Sequence, residues 1–204
     1  MYFDVSPGFT DVKLDIKTTT TNNRWQISVT QIDCTSSSSL QAPSGCLQYY
    51  TGSTGTIKSF NYAQPTATPT ENRQLSNQDY KVCIAAQSNA CSVTYKKSSK
   101  APNDYSFSMT EDSIAFDPPG PGFVGASCTT DYLTIPGAVI TDSWSVLDPP
   151  GSEGDTFCGL NFPESVKSTS TQPFQLHVKT NSKETTTDWF NAGFSLDYSL
   201  SASC

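Results

Sequence analysis

The chain reads as an all-β fold held by disulfides. Three observations predict this: apolar residues alternate with polar ones, turn formers are scattered along the whole length, and there are seven cysteines. Val12, Leu14 and Ile16 alternate with Lys13, Asp15 and Lys17, and Trp25, Ile27 and Val29 alternate with Gln26, Ser28 and Thr30. Near the other end, Phe174, Leu176 and Val178 alternate with Gln175, His177 and Lys179. Phe194, Leu196, Tyr198 and Leu200 do the same with Ser195, Asp197 and Ser199. Successive side chains of a strand point to opposite faces, so each run predicts a strand with one face on a core and one in water. His177 falls on a polar face and is expected to be a surface residue. Thirteen prolines and twelve glycines spread over 204 residues favour many short elements, and no stretch keeps the apolar spacing of a helix. The length suffices for one large domain or two small ones with a real core.

Charged residues make up only 15% of the chain, so much of the surface must be uncharged Ser, Thr, Asn and Gln. A formal net charge of −7, with no basic cluster beyond Lys96–Lys97, excludes a nucleic-acid-binding surface. The plainest consequence of the acidity is solubility. No run of about twenty apolar residues is present, so no membrane-spanning helix is expected. Met1 leads directly into polar sequence, so a secreted form is expected to have its leader removed.

The cysteines are Cys34, Cys46, Cys83, Cys91, Cys128, Cys158 and Cys204. Zinc sites need closely spaced ligand pairs and redox sites usually need Cys-x-x-Cys; neither occurs, and His177 is the only histidine. Structural disulfides, an oxidising compartment and secretion to the extracellular space are therefore expected. Seven is odd, so one cysteine is unpaired, bonds another chain, or has its partner further upstream. No Asn-x-Ser/Thr sequence occurs, so N-glycosylation is not expected.

A weak internal repeat organises the chain. Residues 11–34 parallel residues 173–204: an alternating run, a Thr/Asn-rich turn, a second alternating run and a closing cysteine. Read as hairpins, both need something to dock on, because a lone hairpin is marginal in water. Residues 1–45 are thus expected to be an additional N-terminal β-hairpin with a Ser-rich connection. It either ends an upstream unit or extends the main domain, which spans 46–204. Residues 62–73 read as a surface loop, and 117–125 (DPPGPGFVG) and 148–154 (DPPGSEG) as stiff turns that central strands cannot contain.

Several motifs then occur in a particular order. The segment Gly45-Cys-Leu-Gln-Tyr-Tyr-Thr-Gly-Ser-Thr-Gly-Thr-Ile-Lys-Ser-Phe-Asn-Tyr62 is followed by Leu75-Ser-Asn-Gln-Asp-Tyr-Lys-Val-Cys-Ile84. Cys128-Thr-Thr-Asp-Tyr-Leu-Thr-Ile135, Phe157-Cys158-Gly159, Pro173–Val178 and Gly193–Tyr198 come next. In this order they resemble a CUB domain, in particular the secreted CUB proteins of arthropods. The resemblance implies a jelly-roll-like sandwich of two antiparallel sheets, with disulfides Cys46–Cys83 and Cys128–Cys158. Local bridges Cys34–Cys46 and Cys83–Cys91 compete, and because both loops are short they are the preferred expectation for the first four cysteines. Cys204 is then the odd one.

The family also implies a calcium site made by a Glu and two Asp. Asp131 matches one of these positions and Asn181, in Thr180-Asn181, stands at another; the Glu has no clear counterpart, Glu111 and Asp117 serving only if their loop folds back. Such a site is depleted and expected to be weak, so no cofactor is expected. Asp131 has a simpler role open to it, capping the turn beside Cys128.

Catalysis is not expected. One histidine on a polar strand face makes a Ser-His-Asp arrangement improbable, and no Gly-x-Ser-x-Gly, His-Glu-x-x-His or P-loop sequence occurs. The resemblance implies instead a non-catalytic extracellular module that binds a protein or glycan through loops at one end of the sandwich. Two alternatives rest on the residues. Aromatic pairs such as Tyr49-Tyr50 and Trp189-Phe190 would suit a carrier of a small apolar ligand. Cys204 or the N-terminal hairpin would suit a self-assembling structural protein, a homo-oligomer.

Overall fold

The computed structural model describes residues 1–5, 8, 11–17, 25–33, 39–62, 73–85, 87–99, 106–110, 120–142, 154–169, 173–183 and 191–202. They form β1 (Cys46–Tyr50), β2 (Thr54–Lys58), β3 (Asp79–Ile84), β4 (Ser92–Lys97), β5 (Phe107–Ser108) and β6 (Gly122–Val124). After a single 3₁₀ turn at Gly125–Ser127 come β7 (Tyr132–Thr134), β8 (Ala138–Ile140), β9 (Thr156–Gly159), β10 (Val166–Ser168), β11 (Phe174–Lys179) and β12 (Gly193–Ser201). No α-helix occurs among the described residues. The strands make two sheets, one ordered β1-β3-β11-β7-β9-β6 and the other β2-β12-β4-β10-β8, with β5 also paired to β12. This is the expected jelly-roll-like sandwich.

Consecutive strands change sheets at nearly every step. That rule explains the one pairing among the described strands that is not antiparallel: the chain leaves the first sheet after β1, returns along the second as β2, and re-enters beside β1 as a parallel β3. It also revises the reading of residues 173–201 as a hairpin. β11 lies between β3 and β7, while β12 lies in the other sheet between β2 and β4. The alternation was sound, but both strands turn their apolar faces to a core shared by the two sheets. Phe174, Leu176 and Val178 of β11 and Phe194, Leu196 and Tyr198 of β12 are all buried in one cluster. Each such side chain contributes about 1.5–3 kcal/mol through the apolar surface it removes from water.

Phe162 stands at 5.2 Å between ring centroids from both Phe107 and Phe157, which fills the core next to β5. There the two sheets are tied together: Met109 and Gly159 exchange backbone hydrogen bonds of 2.9 and 2.7 Å. Gly159 has φ of +96°, and a Cβ there would lie 2.6 Å from the Pro121 carbonyl, so the tie requires glycine.

Cys46–Cys83 joins β1 to β3 with Cα atoms 5.7 Å apart, and Cys128–Cys158 joins the segment before β7 to β9 at 5.6 Å. The local pairing Cys34–Cys46 and Cys83–Cys91 is therefore overturned. Short loops favoured it, but the side-by-side placing of β1 and β3 brings together cysteines 37 residues apart. Cys91 is also disulfide-bonded, to a partner outside the described residues. Cys34 and Cys204 lie outside them too.

The N-terminal hairpin is a second correction. Residues 11–17 and 25–33 form no strand, and Val12, Leu14, Ile16, Trp25, Ile27 and Val29 are exposed. Two alternating runs with no sheet to join lack the third strand or packed face that a hairpin needs. The extreme N-terminus touches the sandwich: the Tyr2 N–H donates to the Leu47 carbonyl at 2.9 Å, and the Tyr2 ring meets Tyr49 edge-on at 5.9 Å.

Candidate functional site

One end of the sandwich is organised by a buried carboxylate. Asp131, just before β7, is 2% exposed. Its Oδ2 accepts hydrogen bonds from Gln74 Nε2 at 2.7 Å and Asn191 Nδ2 at 3.2 Å, and its Oδ1 accepts the Asn181 backbone N–H at 2.7 Å. Buried polar groups of this kind are stable only when partnered, and these bonds hold together segments that enter β3, β7 and β12 and leave β11. Around it, the Gln74 N–H donates to the Asn191 carbonyl at 2.8 Å and the Asn77 N–H to the Asn181 carbonyl at 2.6 Å. The Thr110 N–H donates to Asn191 Oδ1 at 3.2 Å. Thr180 Oγ1 donates to the Leu75 carbonyl at 2.7 Å and accepts the Gln78 N–H at 2.9 Å.

Gly193 closes the cluster. With φ of +86° it turns the chain from Asn191 into β12, and a Cβ there would collide with Ser59 Oγ. That hydroxyl is already committed, accepting the Phe194 N–H at 3.0 Å.

Asp131 and Asn181, proposed from sequence as a depleted calcium pair, are thus brought together, but as partners of each other. Calcium takes six to eight oxygen ligands at about 2.3–2.6 Å. Here N–H groups point at both carboxylate oxygens, and the Asn181 side-chain oxygen accepts the Lys183 N–H at 2.6 Å. Among the described residues no three His, Cys, Asp or Glu side chains gather in one place. By themselves the described residues make no such oxygen cage. Glu111 and Asp117 lie outside them. The turn beside Cys128 does not need Asp131 either, since the Cys128 N–H donates to the Gly125 carbonyl at 3.1 Å. Sequence reading missed Gln74, Thr180 and Asn191. Their signal was slight: uncharged amides and a hydroxyl at segment ends, without a motif.

Two other groupings lie away from this end. On the outer face of the first sheet, His177 Nε2 meets Asp79 Oδ1 at 2.6 Å. This hydrogen bond is the main reason the Asp79 carboxyl is held below its ordinary range, with the charges of His177 and Lys179 acting the same way and slight burial opposing. At the opposite end, Tyr198 donates to the Gly52 carbonyl at 3.0 Å, and its ring meets Tyr50 edge-on at 6.0 Å. Tyr49 and Tyr50 are half-buried and engaged with Tyr2 and Tyr198; Trp189 and Phe190 lie outside the described residues.

The fold can be set beside known proteins. Residues 43–201 match the family model described as the animal CUB domain. No curated protein matches. Among solved structures, the MASP-1 CUB2 domain bound to Ca²⁺ is similar over 76% of this chain and 98% of its own, with 20% identity and a TM-score of 0.43. The CUB1-EGF-CUB2 domains of rat MASP-1 and of human MASP-1/3 are each 18% identical over 76% of this chain, with TM-scores of 0.39 and 0.44. This chain covers only 40% and 42% of those two longer chains. The family match takes in more than three quarters of the sequence and all twelve strands, and the chain belongs to the animal CUB domain family.

Proposed function

We propose that this chain is a secreted, non-catalytic binding module that recognises a protein partner through the end of the sandwich built around Asp131. Membership of the CUB family carries the reading, because CUB domains are extracellular protein-interaction modules and not enzymes. Disulfides agree with an oxidising, extracellular setting. The choice of end rests on how its segments are rooted. Hydrogen bonds through Asp131, Asn191 and Thr180 fix the backbone on both sides of the stretch 184–190, after the stretch 63–72 and before the stretch 111–119. A rigid frame carrying variable connections is the usual way a β-sandwich presents a binding surface.

The chemistry of those stretches speaks for the partner. Glu71, Glu111, Asp112, Asp117, Glu184 and Asp188 fall within them, against two basic residues at their borders, Arg73 and Lys183. A basic protein surface suits them, whereas a sulfated or otherwise acidic glycan would be repelled.

The test is binding to an array of extracellular ectodomains at two ionic strengths, with a variant carrying Glu111→Gln, Asp112→Asn, Glu184→Gln and Asp188→Asn. The expected result is a partner whose association slows on the order of tenfold with the variant or with salt, since steering of this kind acts mainly on the on-rate. Binding that ignores both changes would sink the choice of end. Hydrolysis or group transfer by the purified chain would sink the module reading itself.

A further inference from the structure

Six apolar side chains between residues 11 and 30 stand in water: exposure runs from 42% at Ile16 to 85% at Val29, with Val12, Leu14, Trp25 and Ile27 between. Single exposed apolar residues are ordinary, but two alternating runs have the pattern of strands that bury one face against a core. The internal repeat shows what such a pair becomes when complete. In the second copy the matching side chains, Phe174, Leu176, Val178, Phe194, Leu196 and Tyr198, are at most 3% exposed. Their burial has a specific cause. β11 and β12 are central strands of different sheets, each flanked on both sides and facing the other across the core. A pair of this kind cannot order itself alone, because neither strand pairs with the other.

We propose that residues 11–34 are the last two strands of a second CUB-type sandwich, which precedes this one in the same polypeptide. Residues 11–17 take the place of β11 in one of its sheets and 25–33 the place of β12 in the other. The cysteines are consistent with this. In the second copy the end of β12 runs beside Cys91, whose N–H donates to the Ser201 carbonyl at 2.9 Å and whose sulfur lies 3.2 Å from the Ala202 carbonyl. Cys204 follows two residues later and Cys34 closes the first copy, five residues after Val29 where Cys204 stands four after Leu200, so an upstream counterpart of Cys91 would suit Cys34 as Cys91 suits Cys204. A second copy of this chain does not suit the face, since its own β11 and β12 already fill both central places.

Hydrogen exchange tests the proposal. In the 204-residue chain, 12–17 and 25–31 should exchange as open peptide. Meanwhile β11 and β12 should be protected on the order of a thousandfold or more, as core strands are. Extending the chain N-terminally by the sequence its transcript encodes should bring both segments to that protection. The same extension should join Cys34 to a cysteine of the added region in non-reduced peptide maps. Protection of 11–33 already present in the monomeric 204-residue chain would assign these residues to this domain and overturn the proposal. Protection that rises with concentration, together with a dimer in sedimentation, would assign the face to a second copy and overturn it equally. So would an extended chain in which both segments stay open, or a transcript with an in-frame stop before Met1.

Discussion

Asp131 shows how one buried acceptor can organise the end of a fold. Three N–H donors, from Gln74, Asn181 and Asn191, converge on it. Asp131→Ala would leave them facing an apolar gap, and a buried donor without an acceptor costs about 1–3 kcal/mol. Allowing for partial rearrangement, the expected loss is about 3–5 kcal/mol, read as a fall in melting temperature on the order of 10 °C. Asp131→Asn keeps one acceptor and should lose roughly half as much. Millimolar calcium should leave the wild-type melting temperature unchanged, because an ion would have to displace those donors; a clear rise would show an oxygen cage completed by other residues. His177 acts on a smaller scale. The Asp79 carboxyl is depressed chiefly by its hydrogen bond to His177, so the pair's contribution is present above the ordinary carboxylate range and lost as pH falls through the lowered value. Both side chains are well exposed, which keeps that contribution below about 1 kcal/mol. Replacing His177 with Ala should return the Asp79 titration, followed by NMR, toward its ordinary position without a measurable change in stability.

At the level of strands, the disulfides record topology that local sequence does not contain. Cys46–Cys83 closes a loop across 37 residues, and its removal by a double Cys→Ala change should cost about 3–4 kcal/mol, mainly by freeing the unfolded chain. Non-reduced peptide mapping should find Cys46 with Cys83 and Cys91 with Cys204; a Cys83–Cys91 peptide would contradict the register of β1 on β3. The alternation at β11 and β12 was legible because burial against a core imposes period two whichever sheet a strand joins. Which sheet it joins was not legible, because that depends on neighbours tens or hundreds of residues away, and β11 and β12 therefore read as a hairpin. The same alternation at 11–17 and 25–30 predicted a buried face and a strand pair, and the structure shows neither, since both need a sheet that these runs lack. Asp131 and Asn181 could be found from the motif at Cys128–Ile135 and from Thr180-Asn181. What they do could not, because it is set by Gln74 and Asn191, amides that belong to no pattern.

Across the whole molecule the two ends of the sandwich are held by different chemistry, and alkaline pH should separate them. β12 runs from the Asp131 cluster at Gly193 to a tyrosine cluster where Tyr198 lies in register with Tyr95 and edge-on to Tyr50. Burial raises all three hydroxyls above the ordinary value of 10.0, most of all at Tyr95, which is fully enclosed. Burial also pushes Tyr80, beside Phe60, and Tyr62 up to about 12. A folded-state value above the unfolded one favours the protonated, folded form; the resulting stability is complete below pH 10 and is lost as pH rises through the raised values. Tyrosinate absorbance should therefore rise in two steps, the second, from the buried tyrosines, coming only with unfolding near or above pH 12. The melting temperature should fall steadily between the steps. Tyr95→Phe removes a buried hydroxyl that has no partner and should stabilise the fold slightly while shrinking the second step. Partner binding at the Asp131 end should persist until the second step begins. A single titration of all nine tyrosines near pH 10, with the fold intact, would show that the tyrosine end is not closed as described.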